Sequence, residues 1–167
     1  MEQNPQHKWV FKVSTRLTQA TADQIWPLFE DFFNLHKWFP GLPTCYGVHG
    51  TNGEPGCIRH CAGFSLPSNG GVSWSRERLI AVDPVHRVIT YDIVDCNIGF
   101  KSYVSTVQIK PNDSDGQTSG CMIEWSITVD PVEGARLEDL VKKYENGLQG
   151  MAKKMEDAVG STEHGEE

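Results

Sequence analysis

The chain has 167 residues, of which 38% are hydrophobic, and its formal net charge is -7. This length and apolar content are typical of one globular domain with a sizeable core. The acidic balance, without a lysine or arginine cluster, argues against a phosphate-backbone partner, so we expect no nucleic-acid binding. No apolar run approaches the ~18 residues of a membrane span, and no signal-peptide block stands at the start. We therefore expect a cytoplasmic protein.

The predicted elements begin with a half-buried strand over residues 8–17, where apolar and polar side chains alternate. Thr21 and Gln24 then form a capping-box pattern ahead of apolar residues at helical spacing. A helix is therefore expected to begin near Ala22.

Proline positions delimit the next elements. Pro27 lacks the N–H that a helical turn requires, so it predicts a kink or a very early break. A second short helix is expected over residues 34–38, because Pro40 prevents its continuation.

Several strand-like runs follow, separated by turn-forming sequences such as Asn52-Gly53 and Asp83-Pro84. Because the connections are short, successive runs should pair antiparallel. The predicted runs cover roughly residues 43–50, 55–64, 71–82, 86–96, 99–110 and 119–130.

From Leu137 to Val159 apolar residues recur in steps of three and four, which predicts one long amphipathic helix. We expect a ligand-binding domain over residues 8–159, with flexible termini at 1–7 and 160–167. The class is α+β: a seven-stranded curved antiparallel sheet around the C-terminal helix, with two short helices after the first strand. Such a sheet leaves a cavity where its inward side chains are small.

Three polar residues interrupt faces that are otherwise apolar or small: Arg59 in GCIRH, Glu77 in WSRERL and Tyr103 in FKSYVSTVQI. Strand side chains alternate between faces, and this alternation turns all three toward the interior. A buried arginine, carboxylate and phenol are costly to desolvate unless they pair or act on a ligand. We therefore predict a functional pocket at these residues.

The five cysteines are an odd number without a C-x-x-C pair, so reduced and buried thiols are expected. No partner at ligand spacing accompanies Cys57 and Cys61, so no metal site is predicted. Nucleotide, dinucleotide and serine-hydrolase motifs are also absent from the sequence, and no cofactor is expected.

The order of elements resembles the helix-grip fold of the START-like superfamily, which includes the birch pollen allergen and the polyketide cyclases. More specifically, DFFNLHKWFP, GCIRH, WSRERLIAVD, GFKSY and EWS resemble segments of the lachrymatory factor synthases of onion and related plants. In that family an arginine, a glutamate and a tyrosine of the cavity handle the substrate. The resemblance implies that Glu77, Arg59 and Tyr103 are catalytic.

The same resemblance implies positions that bind the ligand. Trp125 matches a tryptophan of the family's pocket, whereas Ser73 and Gly147 stand where larger aromatic residues are expected, which predicts a wider pocket. The expected ligand-binding residues are Trp125, Ser73, Leu35, Tyr91, Gly147 and Met151.

Three functional hypotheses fit these residues. In the first, Glu77 is a general acid-base, Arg59 anchors a polar ligand oxygen and Tyr103 donates to it; the resemblance implies a cofactor-free isomerisation of the sulfenic acid to thial S-oxide type. In the second, the Arg59 and Glu77 pair merely closes the cavity. In the third, the same groups bind a lipid, hormone or secondary metabolite in a non-catalytic carrier. We expect a small hydrophobic ligand or substrate as the partner, no membrane insertion, and a monomer or weak dimer.

Abscisic-acid receptors also resemble the glutamate and tyrosine strands of this chain. Their G-L-P-A and H-R-L loops are replaced here by GFSLP at residues 63–67 and NIGF at residues 97–100. The lysine that anchors the hormone carboxylate in those receptors aligns near Pro43. These departures argue against hormone reception of that kind.

Overall fold

The computed structural model describes residues 7–63, 72–112 and 120–164. The predicted strand ends at residues 64 and 71, and the connection at 113–119, lie outside these ranges. The elements follow one another in the order β1 (Trp9–Leu17), α1 (Ala22–Glu30), a 3-10 helix (Phe32–Lys37), β2 (Thr44–His49), β3 (Ile58–Ala62), β4 (Trp74–Asp83), β5 (Val88–Cys96), β6 (Val104–Pro111), β7 (Cys121–Val129) and α2 (Leu137–His164).

The strands form one seven-stranded sheet in the order β1-β7-β6-β5-β4-β3-β2, with antiparallel pairing throughout. The predicted fold class is therefore confirmed. The pairing of β4 with β5 shifts register between Arg76 and Glu77 and again between Leu79 and Ala81. Such bulges bend a strand and increase its twist, and the first of them lies directly at Glu77.

Helix α1 begins as the capping pattern predicts. The Thr21 hydroxyl accepts the backbone N–H of Gln24, and the Gln24 side chain accepts the N–H of Thr21. The expected break at Pro27 was wrong, because the helix continues to Glu30. A proline removes one amide donor, and burial of the neighbouring helix face, including Trp26, offsets that loss.

Helix α2 packs its apolar stripe against the sheet. Leu148, Met151 and Met155 are at most 1% exposed. The helical backbone continues through His164, beyond Val159 where the apolar pattern ends, and the flexibility of the termini stays a prediction. Within the described ranges, no helix combines the length and the apolar character that a membrane crossing requires.

Candidate functional site

A buried ion pair joins β3 to β4. Arg59 and Glu77 are direct partners in the strand register, and the Arg59 Nε and Nη2 atoms donate to Glu77 Oε1 at 2.8 and 2.7 Å. Nη1 donates to the Phe32 carbonyl oxygen at 2.8 Å. The guanidinium carbon lies 3.7 Å from the centre of the Phe32 ring and 4.9 Å from that of Tyr91. The arginine is thus held by hydrogen bonds at its edge and by rings beside its plane.

Electrostatics keep this arginine charged. Burial by itself lowers the pKa of Arg59, but the negative charge of Glu77 raises it above its ordinary value. The Arg59 side chain is only 4% exposed and that of Glu77 12%. Either charge alone would be an uncompensated ion in a poorly hydrated site, so each residue requires the other.

The two oxygens of the Glu77 carboxylate have different surroundings. Oε1 accepts hydrogen bonds from the Nε and Nη2 atoms of Arg59, and the Cys61 sulfur lies 3.9 Å from it. Oε2 accepts a hydrogen bond from the Ser75 hydroxyl at 3.2 Å. Because a carboxylate oxygen has two lone-pair sites, Oε2 can accept a further proton or hydrogen bond from a molecule in the cavity.

A second set of polar side chains, joined by hydrogen bonds, extends from β7 to α2. The Trp125 indole N–H donates to the Ser105 hydroxyl at 3.1 Å, and Ser105 donates to the Tyr103 hydroxyl at 2.8 Å. The hydroxyl oxygens of Tyr103 and Tyr144 share a hydrogen bond at 2.7 Å. Each of these four groups carries one N–H or O–H proton, and three of the four protons form the hydrogen bonds between them. One phenolic proton of the Tyr103 and Tyr144 pair therefore remains available to another acceptor.

Burial keeps these phenols protonated. It is the largest cause that raises the pKa of both Tyr103 and Tyr144 well above the ordinary value, and the negative charge of Glu77 adds to it. The pKa of Tyr91 is raised for the same first reason. Neutral phenols donate hydrogen bonds, so this side of the site presents donors and the Glu77 side presents an acceptor.

Both polar groups open on one cavity of about 110 Å³ between the sheet and α2. Its polar wall includes Ser75, Glu77, Tyr103 and Tyr144, with Lys143 also contributing. Most of the remaining wall is apolar, including Leu35, Phe39, Leu42, Ile93, Phe100 and Trp125. An apolar space with a few convergent polar groups is the usual character of a small-molecule site.

The predicted site residues fall into three groups. Leu35, Glu77, Tyr91, Tyr103 and Trp125 line the main cavity. The other four are placed as follows: Arg59 and Met151 line a separate void of about 20 Å³, whereas Ser73 and Gly147 line neither space.

The expected widening at Gly147 does not occur. A Cβ atom added there would lie 2.6 Å from the ring carbon Cζ of Phe39, so that ring occupies the space which the glycine leaves. Phe39 also lines the cavity. Ser73 is 5% exposed, and its carbonyl accepts the N–H of Gly63; it lies directly before the first residue of β4 and not in the cavity wall.

Ser105, Tyr144 and Phe39 are among the residues of the site that the sequence analysis missed. Ser105 follows Tyr103 by two residues, so the same alternation that found the tyrosine could have found it. Tyr144 was visible only as a member of the apolar stripe of α2. Phe39 comes after the 3-10 helix, where no periodic pattern indicates the direction of a side chain.

Comparison with known proteins assigns the chain to a family. The sequence profile of the polyketide cyclase / dehydrase and lipid transport family matches residues 8–156. The chain belongs to this family. It is similar to the abscisic acid receptors PYL2 and PYL7 of Arabidopsis thaliana, with 32% identity over 128 residues and 28% over 129. These matches cover 75% and 76% of this chain but 64% and 57% of the receptors.

Solved structures share the fold of this polyketide cyclase family member at low sequence identity. A norcoclaurine synthase mutant from Thalictrum flavum matches with a TM-score of 0.69 at 19% identity, covering 96% of this chain and 99% of that one. The major latex-like protein 151 of Panax ginseng matches with a TM-score of 0.68 at 18% identity, covering 90% and 97%. These likenesses establish the helix-grip fold and not a shared reaction.

The ion pair yields a first prediction. Arg59→Met leaves the Glu77 carboxylate buried without its cation, so we expect the free energy of unfolding to fall by about 3–5 kcal/mol. Adding Glu77→Gln removes the orphaned charge and should recover part of that loss. Urea unfolding of the single and double variants measures both effects.

Arg78→Met is the matched control, because Arg78 forms a similar pair with Asp92 at 2.7 Å but its side chain is 47% exposed. Solvent screens that pair, so Arg78→Met should lower the free energy of unfolding much less than Arg59→Met does. Equal losses at Arg59 and Arg78 would contradict the importance of the buried pair.

The contact at Gly147 yields a second prediction. Gly147→Ala should destabilise the protein by about 1–3 kcal/mol through overpacking against Phe39, despite the better helix propensity of alanine. In a Phe39→Leu background the same change should become neutral or stabilising. Gly160→Ala, where an added Cβ has no neighbour within 4 Å, should stabilise by about 0.5–1 kcal/mol. A stabilising Gly147→Ala in the wild-type background would disprove the contact.

Proposed function

We propose that this protein binds a small hydrophobic molecule with one polar end and moves a proton within it, using Glu77 as the general base. One observation carries the proposal: a carboxylate fixed by a buried arginine faces a small apolar cavity that also contains neutral phenol donors. A base in a fixed position beside hydrogen-bond donors is the arrangement that proton transfer requires.

The cavity favours a molecule of few heavy atoms. Its volume of about 110 Å³ is well below the ~300–1,000 Å³ of sites for drug-sized ligands. The Phe39 ring beside Gly147 contributes to this small size. A short alkenyl chain with a single oxygen-bearing head fits both the volume and the apolar wall.

The proposed chemistry is the isomerisation of an alkenyl sulfenic acid to a thial S-oxide. Glu77 Oε2 takes the proton of the S–O–H group, and the carbon of the double bond farther from sulfur receives a proton from the same carboxyl. The O–H bond breaks, a C–H bond forms, and the double bond moves from carbon–carbon to carbon–sulfur. No electrons leave the molecule, so the step requires no cofactor.

The geometry favours a positioning role for Arg59. Its Nε and Nη2 atoms donate to Glu77 and its Nη1 atom to the Phe32 carbonyl, and the residue lines the smaller void rather than the main cavity. We therefore assign the contact with the ligand oxygen to the phenols of Tyr103 and Tyr144. Arg59 holds the carboxylate in place through two hydrogen bonds to Oε1.

A non-catalytic binding or carrier protein is the second candidate, and the ion pair is what favours it. A carboxylate engaged by arginine also serves as a fixed acceptor for a ligand hydroxyl. The similar Arabidopsis proteins are named abscisic acid receptors. Reception of that hormone is disfavoured here by the proline at position 43 and by the small cavity.

Glu77→Gln tests the chemistry. The amide keeps the shape of the side chain but cannot take the proton, so turnover should fall by about 10²- to 10⁴-fold. The assay supplies freshly generated alkenyl sulfenic acid to the protein and detects volatile thial S-oxide by mass spectrometry. Glu54→Gln, an exposed glutamate on a turn, should keep the wild-type rate.

The outcomes separate the two candidates. Product from wild type and Glu54→Gln, but not from a Glu77→Gln variant that circular dichroism shows to be folded, supports the isomerase. Equal product from Glu77→Gln rules out this carboxylate as the base. No product from a folded wild type rules out this reaction and favours the carrier.

Tyr144→Phe tests ligand contact independently of turnover. Loss of one hydrogen bond to a ligand oxygen should weaken the binding of a small alkyl sulfoxide, such as methyl propyl sulfoxide, by about 2- to 10-fold. An NMR titration measures the dissociation constant. Tyr46→Phe makes the same change at a residue that is 50% exposed on the outside of the sheet and should have no effect. Unchanged affinity in Tyr144→Phe would refute the assignment of the phenols.

A further inference from the structure

Two cysteines face each other across the β2–β3 pair. Cys45 and Cys61 are direct partners in the antiparallel register, and their sulfur atoms are 3.8 Å apart. Directly opposed residues of antiparallel strands have Cα atoms ~4.5–5.5 Å apart. Disulfides span Cα separations of ~4.4–6.8 Å. The backbone is therefore already at a spacing that a disulfide accepts.

This pair differs from the other thiols of the chain. All five cysteines are free, and within the described ranges Cys45 and Cys61 are the two whose sulfur atoms are in contact. Cys61 also lines the main cavity, and its sulfur lies 3.9 Å from Glu77 Oε1. Small molecules that enter the cavity can therefore reach Cys61, and the Cys45 sulfur lies directly behind it at 3.8 Å.

The charges around the pair make its two members unequal. A hydrogen bond from the Cys61 thiol is the main cause that lowers the pKa of Cys45 to about 6. The Arg59 charge and the Leu35 backbone lower it further, against burial and the Glu77 charge. The pKa of Cys61 is raised well above its ordinary value, first by the same hydrogen bond and then by burial. Because the Cys61 thiol donates to the Cys45 sulfur and the Arg59 charge favours ionisation of Cys45, we assign Cys45 as the attacking sulfur and Cys61 as its proton donor.

We propose that Cys45 and Cys61 form a redox-active dithiol in the cavity wall, which closes to a disulfide when a hydroperoxide enters. This modification does not require the proton transfer assigned to Glu77. It rests on the contact between the two sulfurs, on their opposed strand positions and on the place of Cys61 in the cavity wall.

The oxidation proceeds in two balanced steps. The Cys45 thiolate attacks the outer oxygen of the hydroperoxide and breaks the O–O bond; the released alkoxide takes a proton and leaves as an alcohol, and Cys45 becomes a sulfenic acid. The Cys61 sulfur then attacks that sulfur atom, and the displaced hydroxide leaves as water with the Cys61 proton. In sum, the two thiols lose two electrons and two protons, and the hydroperoxide gains them to give one alcohol and one water; with hydrogen peroxide the products are two waters.

Closure changes the environment of Glu77. The sulfur separation must fall from 3.8 Å to about 2.05 Å, which side-chain rotation at the two opposed positions can provide. The disulfide removes the Cys61 S–H beside Glu77 Oε1 and the Cys45 negative charge near Arg59. The redox state of the pair is thereby coupled to the polar end of the cavity.

The experiment oxidises the full-length reduced protein with hydrogen peroxide at neutral pH. The protein is then denatured in the presence of N-ethylmaleimide, and the mass of the intact chain is measured by mass spectrometry. The expected result is a fall from five alkylated cysteines, the number in the chain, to three. Peptide mapping should identify a Cys45–Cys61 disulfide, and dithiothreitol should restore all five sites.

Variants identify the attacking sulfur. In Cys61→Ala, Cys45 should stop at a sulfenic acid that dimedone traps, and no intrachain disulfide should form. Cys96→Ser, at a partly exposed position, should still close the Cys45–Cys61 bond. If Cys61→Ala does not fold, the peptide map of the oxidised wild type decides alone.

Three results would overturn the proposal. The first is a disulfide between other cysteines or between two chains. The second is sulfinic acid on Cys45 without a cross-link. The third is five alkylated sites after a peroxide dose that oxidises the thiols of the urea-unfolded chain.

Discussion

The buried ion pair between Arg59 and Glu77 is the constraint on which the rest of the site depends. Two opposite charges that are almost fully removed from water must stay together, and their contact fixes the register of β3 against β4. The guanidinium also holds the 3-10 helix through the Phe32 carbonyl. One interaction therefore joins two strands and the helical segment that covers them, and it directs the carboxylate toward the cavity.

The second connection runs between the sheet and α2. The chain of hydrogen bonds from Trp125 through Ser105 and Tyr103 to Tyr144 joins β7, the start of β6 and the long helix. It gives a mainly hydrophobic contact between helix and sheet a specific polar anchor. Because these hydrogen bonds use three of the four available protons, one phenolic proton of the Tyr103 and Tyr144 pair is left for a bound molecule.

Family membership and fold do not determine the reaction, which depends on a few side chains of the cavity. Proteins with names as different as abscisic acid receptor, norcoclaurine synthase and major latex-like protein resemble this chain in sequence or in fold. Proteins that share a fold need not catalyse the same reaction. The chemistry proposed here rests instead on the carboxylate, the phenols and the volume around them, and the cysteine pair adds a group that the proton transfer does not use.

Local patterns in the sequence determined the class of fold, the start of α1 and the inward direction of Arg59, Glu77 and Tyr103, because alternation and capping depend on neighbouring residues alone. Tertiary structure decided what those patterns do not contain. The break expected at Pro27 is absent because packing outweighs one lost hydrogen bond, and the Phe39 ring occupies the space beside Gly147. The contacts of Tyr144 with Tyr103 and of Cys45 with Cys61 likewise join residues distant in sequence. Periodicity gives the face on which a side chain lies, but only strand register and helix docking give its partner.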